Sequence, residues 1–194
     1  MGVYLVSVGA LEWFGTDEVS YGELAAALNQ ELVRRGLPPY ESVPEEAPFV
    51  RGSGLAFEEK LVPPIDSFGA LCEAHLLREQ IEILCGWTVL VPLSLEEEIW
   101  LPIRSTDTEE SMIAGAWQVL TLAKQLATIV ELPAEVPDKC DNLDLTTWFR
   151  DEAAGLAAIR PGPWSEDLDA AFYVALFLRA AQHSLRRGCP IVCT

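Results

Sequence analysis

The chain has 194 residues, half of them hydrophobic, and a formal net charge of −17 from 30 acidic and 13 basic residues. A single core of ordinary size fits this length. Such acidity disfavours nucleic-acid phosphate and anionic lipid as partners. No apolar run approaches the roughly 20 residues that a membrane-spanning helix requires.

The start of the chain lacks a basic and apolar leader, so the expected setting is cytoplasmic. The five cysteines are then expected as free thiols. Arginine outnumbers lysine by ten to three, and alanine and leucine are abundant. This composition suggests a GC-rich bacterial coding sequence. The charge is unevenly spread: residues 1–145 carry 25 acids and 8 bases, whereas residues 146–194 carry 5 of each.

Residues 3–8 form a β-branched, nearly continuous apolar run, the pattern of a strand buried on both faces. A loop with Glu12, Trp13 and Phe14 follows. The first long helix is expected after a capping box of Ser20 and Glu23, with Val19 and Leu24 at staple spacing. Arg34, Arg35 and Gly36 suit its end, and Pro38 and Pro39 prevent continuation.

Residues 37–64 are rich in Pro, Glu and Gly and read as a long loop, a candidate lid with room for a short strand. A second helix is expected after Pro64, capped by Asp66 or Ser67 and continuing to Gly86. Residues 87–92 and 99–103 read as strands at a sheet edge or near their own ends, because each carries a proline. The acids Glu96, Glu97 and Glu98 lie in the turn between them.

A third helix is expected after residue 107, with Thr106 and Glu109 in capping-box spacing and Ile113, Ala116, Trp117 and Leu120 on its apolar stripe. Residues 133–145 form a second loop. A fourth helix contains Trp148 and Phe149, and Pro161, Gly162 and Pro163 break it. A fifth helix, 165–187, starts with Ser165 as cap and ends at Gly188. It has no charge on any face from 170 to 178, which places it in the middle of a domain. The tail 191–193 reads as a last short strand.

The expected fold class is α/β, with α+β as the alternative. One helix-rich domain, 1–194, would surround a small mixed sheet, with about five helices, three to four strands and helix 165–187 central.

The candidate sites are few. Asp138, Asp141 and Asp144, with Asn142, group oxygens in one loop, as a hard cation or a polar ligand would require. Their spacing is not that of a known calcium loop, and Asp144 also suits a helix cap. Cys72 and His75, or Cys189 and Cys193, sit at spacings that zinc sites rarely use, so no metal or cofactor is expected. Cys140 and His183 are the one pair that a Cys–His nucleophile would need.

Glu12 and Trp13 lie beyond the first strand, where ligands collect in open α/β sheets. Gly9 and Gly15 do not form a nucleotide-binding pattern. Trp117 and Trp148 read as core, whereas Trp13, Trp87, Trp100 and Trp164 lie at element ends and read as half exposed.

These features support two readings. In the first, the protein is an acidic binding module for a basic protein partner, comparable to toxin-neutralising immunity proteins in charge and size alone. Its binding residues are expected to be Asp138, Asp141, Asp144, Glu12 and Trp13. In the alternative, it is an enzyme or ligand-binding protein for a small neutral or cationic molecule, with a carboxylate of residues 138–144 as its base.

Overall fold

The uncharged stretch 170–178 becomes the middle of a 20-residue helix, α9 (Leu168–Arg187), in a computed structural model that describes residues 3–17, 20–46, 50–104 and 108–194. Every residue from Ala170 to Leu178 is buried. The Asp167 carboxylate accepts the Ala170 N–H at 2.9 Å and caps the start. Gly188, at φ 70°, ends the helix in the left-handed conformation that glycine adopts without a Cβ penalty. Ser165 is not this cap. It belongs to a preceding turn, α8 (Pro163–Glu166), where its hydroxyl binds the Gly162 backbone.

The class is α/β, with nine helices and a six-stranded mixed sheet among the described residues. The strands are β1 (Tyr4–Ser7), β2 (Glu58–Lys60), β3 (Val89–Val91), β4 (Ile99–Leu101), β5 (Ser111–Gly115) and β6 (Ile191–Cys193), in the order β2-β1-β6-β3-β5-β4. Only β3 and β5 are parallel. The chain's last strand therefore lies inside the sheet, with Val192 opposite both Val6 and Val89.

The remaining helices are α1 (Ala10–Trp13), α2 (Gly22–Arg34), α3 (Asp66–His75), α4 (Arg78–Cys85), α5 (Ala116–Ile129), α6 (Asp144–Asp151) and α7 (Ala153–Ile159). The sheet divides two cores. Leu5, Leu90, Ala114 and Ile191 face α9, α5 and α3 on one side. Val89, Val91, Ile99, Ile113 and Val192 face α2, Trp13 and Tyr40 on the other. Neighbouring residues point to opposite faces, and β3 and β5 are buried throughout because both faces are covered. No helix among the described residues is long and apolar enough to cross a membrane.

The element count exceeds the expectation for identifiable reasons. The run 111–115 is strand β5 and not the first turn of a helix, and α5 starts only at Ala116. A short apolar run satisfies both patterns, and pairing with β3 on one side and β4 on the other selects the strand. The expected Thr106 cap and the Val19 staple lie outside the described residues.

The second predicted helix breaks at Leu76, which is extended at φ −124° and ψ 153°. The break lets α3 pack on α9 while α4 packs on α5. Ser20 does not cap α2. Its hydroxyl donates to the Asp17 carbonyl, and the N-cap position is Tyr21.

Loop 37–64 holds β2 and is anchored at Tyr40. Tyr40 and Asn29 exchange two hydrogen bonds, and the Tyr40 hydroxyl donates to the Gly188 carbonyl at 2.8 Å. That anchorage argues against a lid hinged at residue 40.

Candidate functional site

The two edges of the sheet are finished differently. At one edge, β2 is closed by the loop before α6. The Glu58 N–H donates to the Cys140 carbonyl at 2.8 Å, and the Leu143 N–H donates to the Glu58 carbonyl at 2.9 Å. The Thr146 hydroxyl meets both the N–H and the carbonyl of Lys60. At the other edge, β4 makes no backbone hydrogen bond on its outer side among the described residues. Its middle residue, Trp100, is 56% exposed. Glu96 and Glu97 before it and Glu109 and Glu110 after it are exposed. Arg104 lies 3.7 Å from Glu109, and Arg35 donates to the backbone carbonyls of Glu97 and Glu98 at 3.1 and 3.2 Å.

The loop that the sequence singles out, 138–144, is mostly turned inward. Asp141 is 1% exposed. Its Oδ2 accepts the Gly54 N–H at 3.1 Å, and its Oδ1 has no partner. Asp144 folds back on its own loop, where Oδ2 accepts the N–H groups of Asp141 and Asn142. Its Oδ1 lies 3.7 Å from Arg51. Asp138 alone faces solvent, on the rim of an open groove of about 550 Å³ between α5 and α9.

Behind this loop lies a residue that the sequence offered only as half of a Cys–His pair. His183, on α9, is 2% exposed and tilts against Phe57. Arg186 lies one turn on, with Nη2 at 3.4 Å from His183 Nδ1 and 3.3 Å from the Gly54 carbonyl. With Arg186 donating to Nδ1, the imidazole proton sits on Nε2, which has no acceptor. Burial pushes His183 down to about 3, and the charges of Arg186 and Arg187 add to the effect. It is therefore neutral at physiological pH. Gly54 holds the loop at φ +69°, where a Cβ would be strained and would press on the Lys139 side chain.

Cys140 is no partner for this histidine. It is buried, and burial followed by the charge of Glu59 pushes its thiol up, opposite to what a thiolate nucleophile needs. Cys72 contacts Cys85, whose thiol hydrogen bond lowers it, and His75 is exposed. No group of three or more His, Cys, Asp or Glu among the described residues is placed to hold a metal ion.

Trp13 is fully buried, between Tyr21 and Tyr40, and forms part of the second core. Its expected half exposure is corrected, because the short helix α1 turns the ring back under the sheet. Glu12 is partly buried and raised from its ordinary value by burial and by Glu46. Trp87 and Trp164 are also buried, and Trp148 is buried as expected. Trp117, expected in the core, is 54% exposed at the start of α5.

Trp100 is half exposed, as its place at an element end suggests, whereas Arg186 had no signal beyond its spacing of three residues from His183. Comparison with known protein families, with curated proteins and with solved structures finds no match for this chain.

Proposed function

We propose that the protein is an acidic binding module that docks a basic protein segment along the open edge of β4. The observation that carries this reading is the asymmetry of the sheet: one edge is sealed by its own loop, and the outer side of β4 has no backbone partner among the described residues and an exposed tryptophan at its centre, with Arg35 on the carbonyls of Glu97 and Glu98 just before it. Uncovered edge strands are places where another chain adds a strand, with backbone hydrogen bonds supplying affinity and side chains supplying selectivity. A half-exposed tryptophan is the residue type most often found as an interface anchor. The surrounding glutamates favour a Lys- or Arg-rich partner and speed its approach at low salt. The resemblance to immunity proteins remains one of charge and size.

The alternative, a site for a neutral or cationic small molecule built from residues 138–144, has weaker support. Asp141 and Asp144 already accept backbone N–H groups within the loop region.

The test compares three baits in extracts of the source cell at low and moderate salt: wild type, Trp100→Ala, and the triple variant Glu96→Gln, Glu97→Gln, Glu98→Gln. A basic protein retained by wild type, weakened by salt and lost from both variants supports the reading. Identical retention by all three baits, or no retention by wild type, overturns it.

A further inference from the structure

The arginines of this acidic chain fall into two groups. Arg34, Arg35, Arg51, Arg78, Arg104, Arg150 and Arg160 each pair with a carboxylate. The other three, Arg179, Arg186 and Arg187, lie on one helix, α9, and have no carboxylate partner among the described residues. Two of them line the open groove between α5 and α9.

Both of these guanidiniums are held in place, and only by neutral acceptors. Arg179 donates to the Pro137 carbonyl at 2.7 Å, the Val136 carbonyl at 3.0 Å and Gln182 Oε1 at 2.9 Å. Arg186 donates to the Gly54 carbonyl and to His183 Nδ1. Carbonyls and a neutral imidazole orient a cation without cancelling its charge. In a chain of net charge −17, two immobilised guanidiniums without an ion-pair partner among the described residues, beside one groove whose single carboxylate is Asp138, form a local reversal of sign. The groove also has an apolar side, formed by Leu120, Leu185 and the exposed ring of Trp117.

We propose that this groove binds a small organic anion, with its carboxylate on Arg179 and Arg186 and its planar apolar body against Trp117. Guanidinium recognises carboxylate through paired N–H donors, and an indole face accepts an aromatic ring. The one carboxylate on the rim, Asp138, opposes the anion and sets a limit on affinity. This site lies apart from β4 and does not rest on the protein-docking reading.

The test follows the indole N–H resonance of Trp117, assigned by its loss in Trp117→Phe, while phenylacetate is titrated. A ten-atom ligand of ordinary efficiency is expected to bind with a dissociation constant of order 1 mM. The expected result is a saturable shift with phenylacetate and none with acetate or the neutral phenylacetamide. Arg186→Gln weakens the binding about tenfold or more, and Asp138→Asn tightens it several-fold.

Arg186→Gln keeps Arg179 and its loop contacts, and Asp138→Asn changes an exposed side chain, so neither readout depends on a damaged fold. Absence of a saturable phenylacetate shift in the wild type overturns the proposal. An equal response to phenylacetamide, or weakening by Asp138→Asn, also overturns it.

Discussion

Glu59 and Thr146 stand 87 residues apart in the chain, yet one carboxylate oxygen of Glu59 accepts both the backbone N–H of Thr146 at 2.9 Å and its hydroxyl at 2.7 Å. The other oxygen accepts the Leu145 N–H at 2.7 Å. The start of α6 is thus capped by a strand residue from elsewhere in the sequence, and no side chain local to α6 does so. The same carboxylate is buried beside the edge that closes the sheet.

Glu59→Ala leaves these donors unpaired in a buried place and is expected to cost about 2–3 kcal/mol, measured by urea denaturation. Burial, the largest influence, raises Glu59 above its ordinary value of 4.5, although its three hydrogen bonds oppose that rise. A raised carboxyl contributes most stability when protonated. The advantage of wild type over Glu59→Ala is therefore expected to be greatest below pH 4.5 and to shrink as pH rises through the folded-state value. A difference that grows on going from acid to neutral pH would contradict this assignment.

His183 gives the opposite profile. Its folded value is depressed to about 3 from an ordinary 6.5, so the unfolded chain binds a proton that the folded chain refuses. Stability is lost as pH falls from 6.5 towards 3, by at most about 1.4 kcal/mol per pH unit. A His183→Asn variant is expected to lack this contribution. Subtracting its denaturation curves from those of the wild type separates it from the titration of the surface acids. A difference that is flat between pH 6 and 4 would show that His183 takes up its proton in the folded state.

Glu131 has φ 52° just beyond α5, where the Leu132 N–H reaches back to the Ala127 carbonyl. This is a helix stop that glycine fills best. Glu131→Gly removes the Cβ penalty of the left-handed conformation and one exposed acid from a highly acidic chain. A stability gain of up to about 1 kcal/mol is expected, visible as a higher melting temperature.

The tryptophans separate packing from recognition. Trp13 is fully buried, so Trp13→Ala is expected to cost about 3–5 kcal/mol. Trp100 is 56% exposed, and Trp100→Ala is expected to change stability by no more than about 0.5 kcal/mol. Equal losses at the two positions, compared by denaturant midpoint, would mean that Trp100 is packed in solution.

How far the sequence reached differs from element to element. Helix α9 was legible because a run without charges can only be stable away from water, and Gly188 marked its end. The strands at β1, β3, β4 and β6 were legible from short β-branched runs. Strand β5 was not, since Ser111 to Gly115 satisfies helix and strand patterns alike until a partner selects one. Among the candidate site residues, Asp138 faces solvent as a binding residue must. Asp141 and Asp144 are occupied with backbone N–H groups, and Trp13 is core.

Periodicity, charge and breakers by themselves favoured the α/β class over α+β and gave the central place of α9 and the lack, among the described residues, of an apolar helix long enough for a membrane, because these depend on local pattern and composition. Tertiary structure alone decided which sheet edge is sealed, which tryptophan meets solvent and which arginines have no ion-pair partner among the described residues. Each of these is a property of pairs distant in sequence: Glu59 with Thr146, Trp13 with Tyr40, Arg186 with Gly54. A residue's own neighbours in the chain carry no record of such partners.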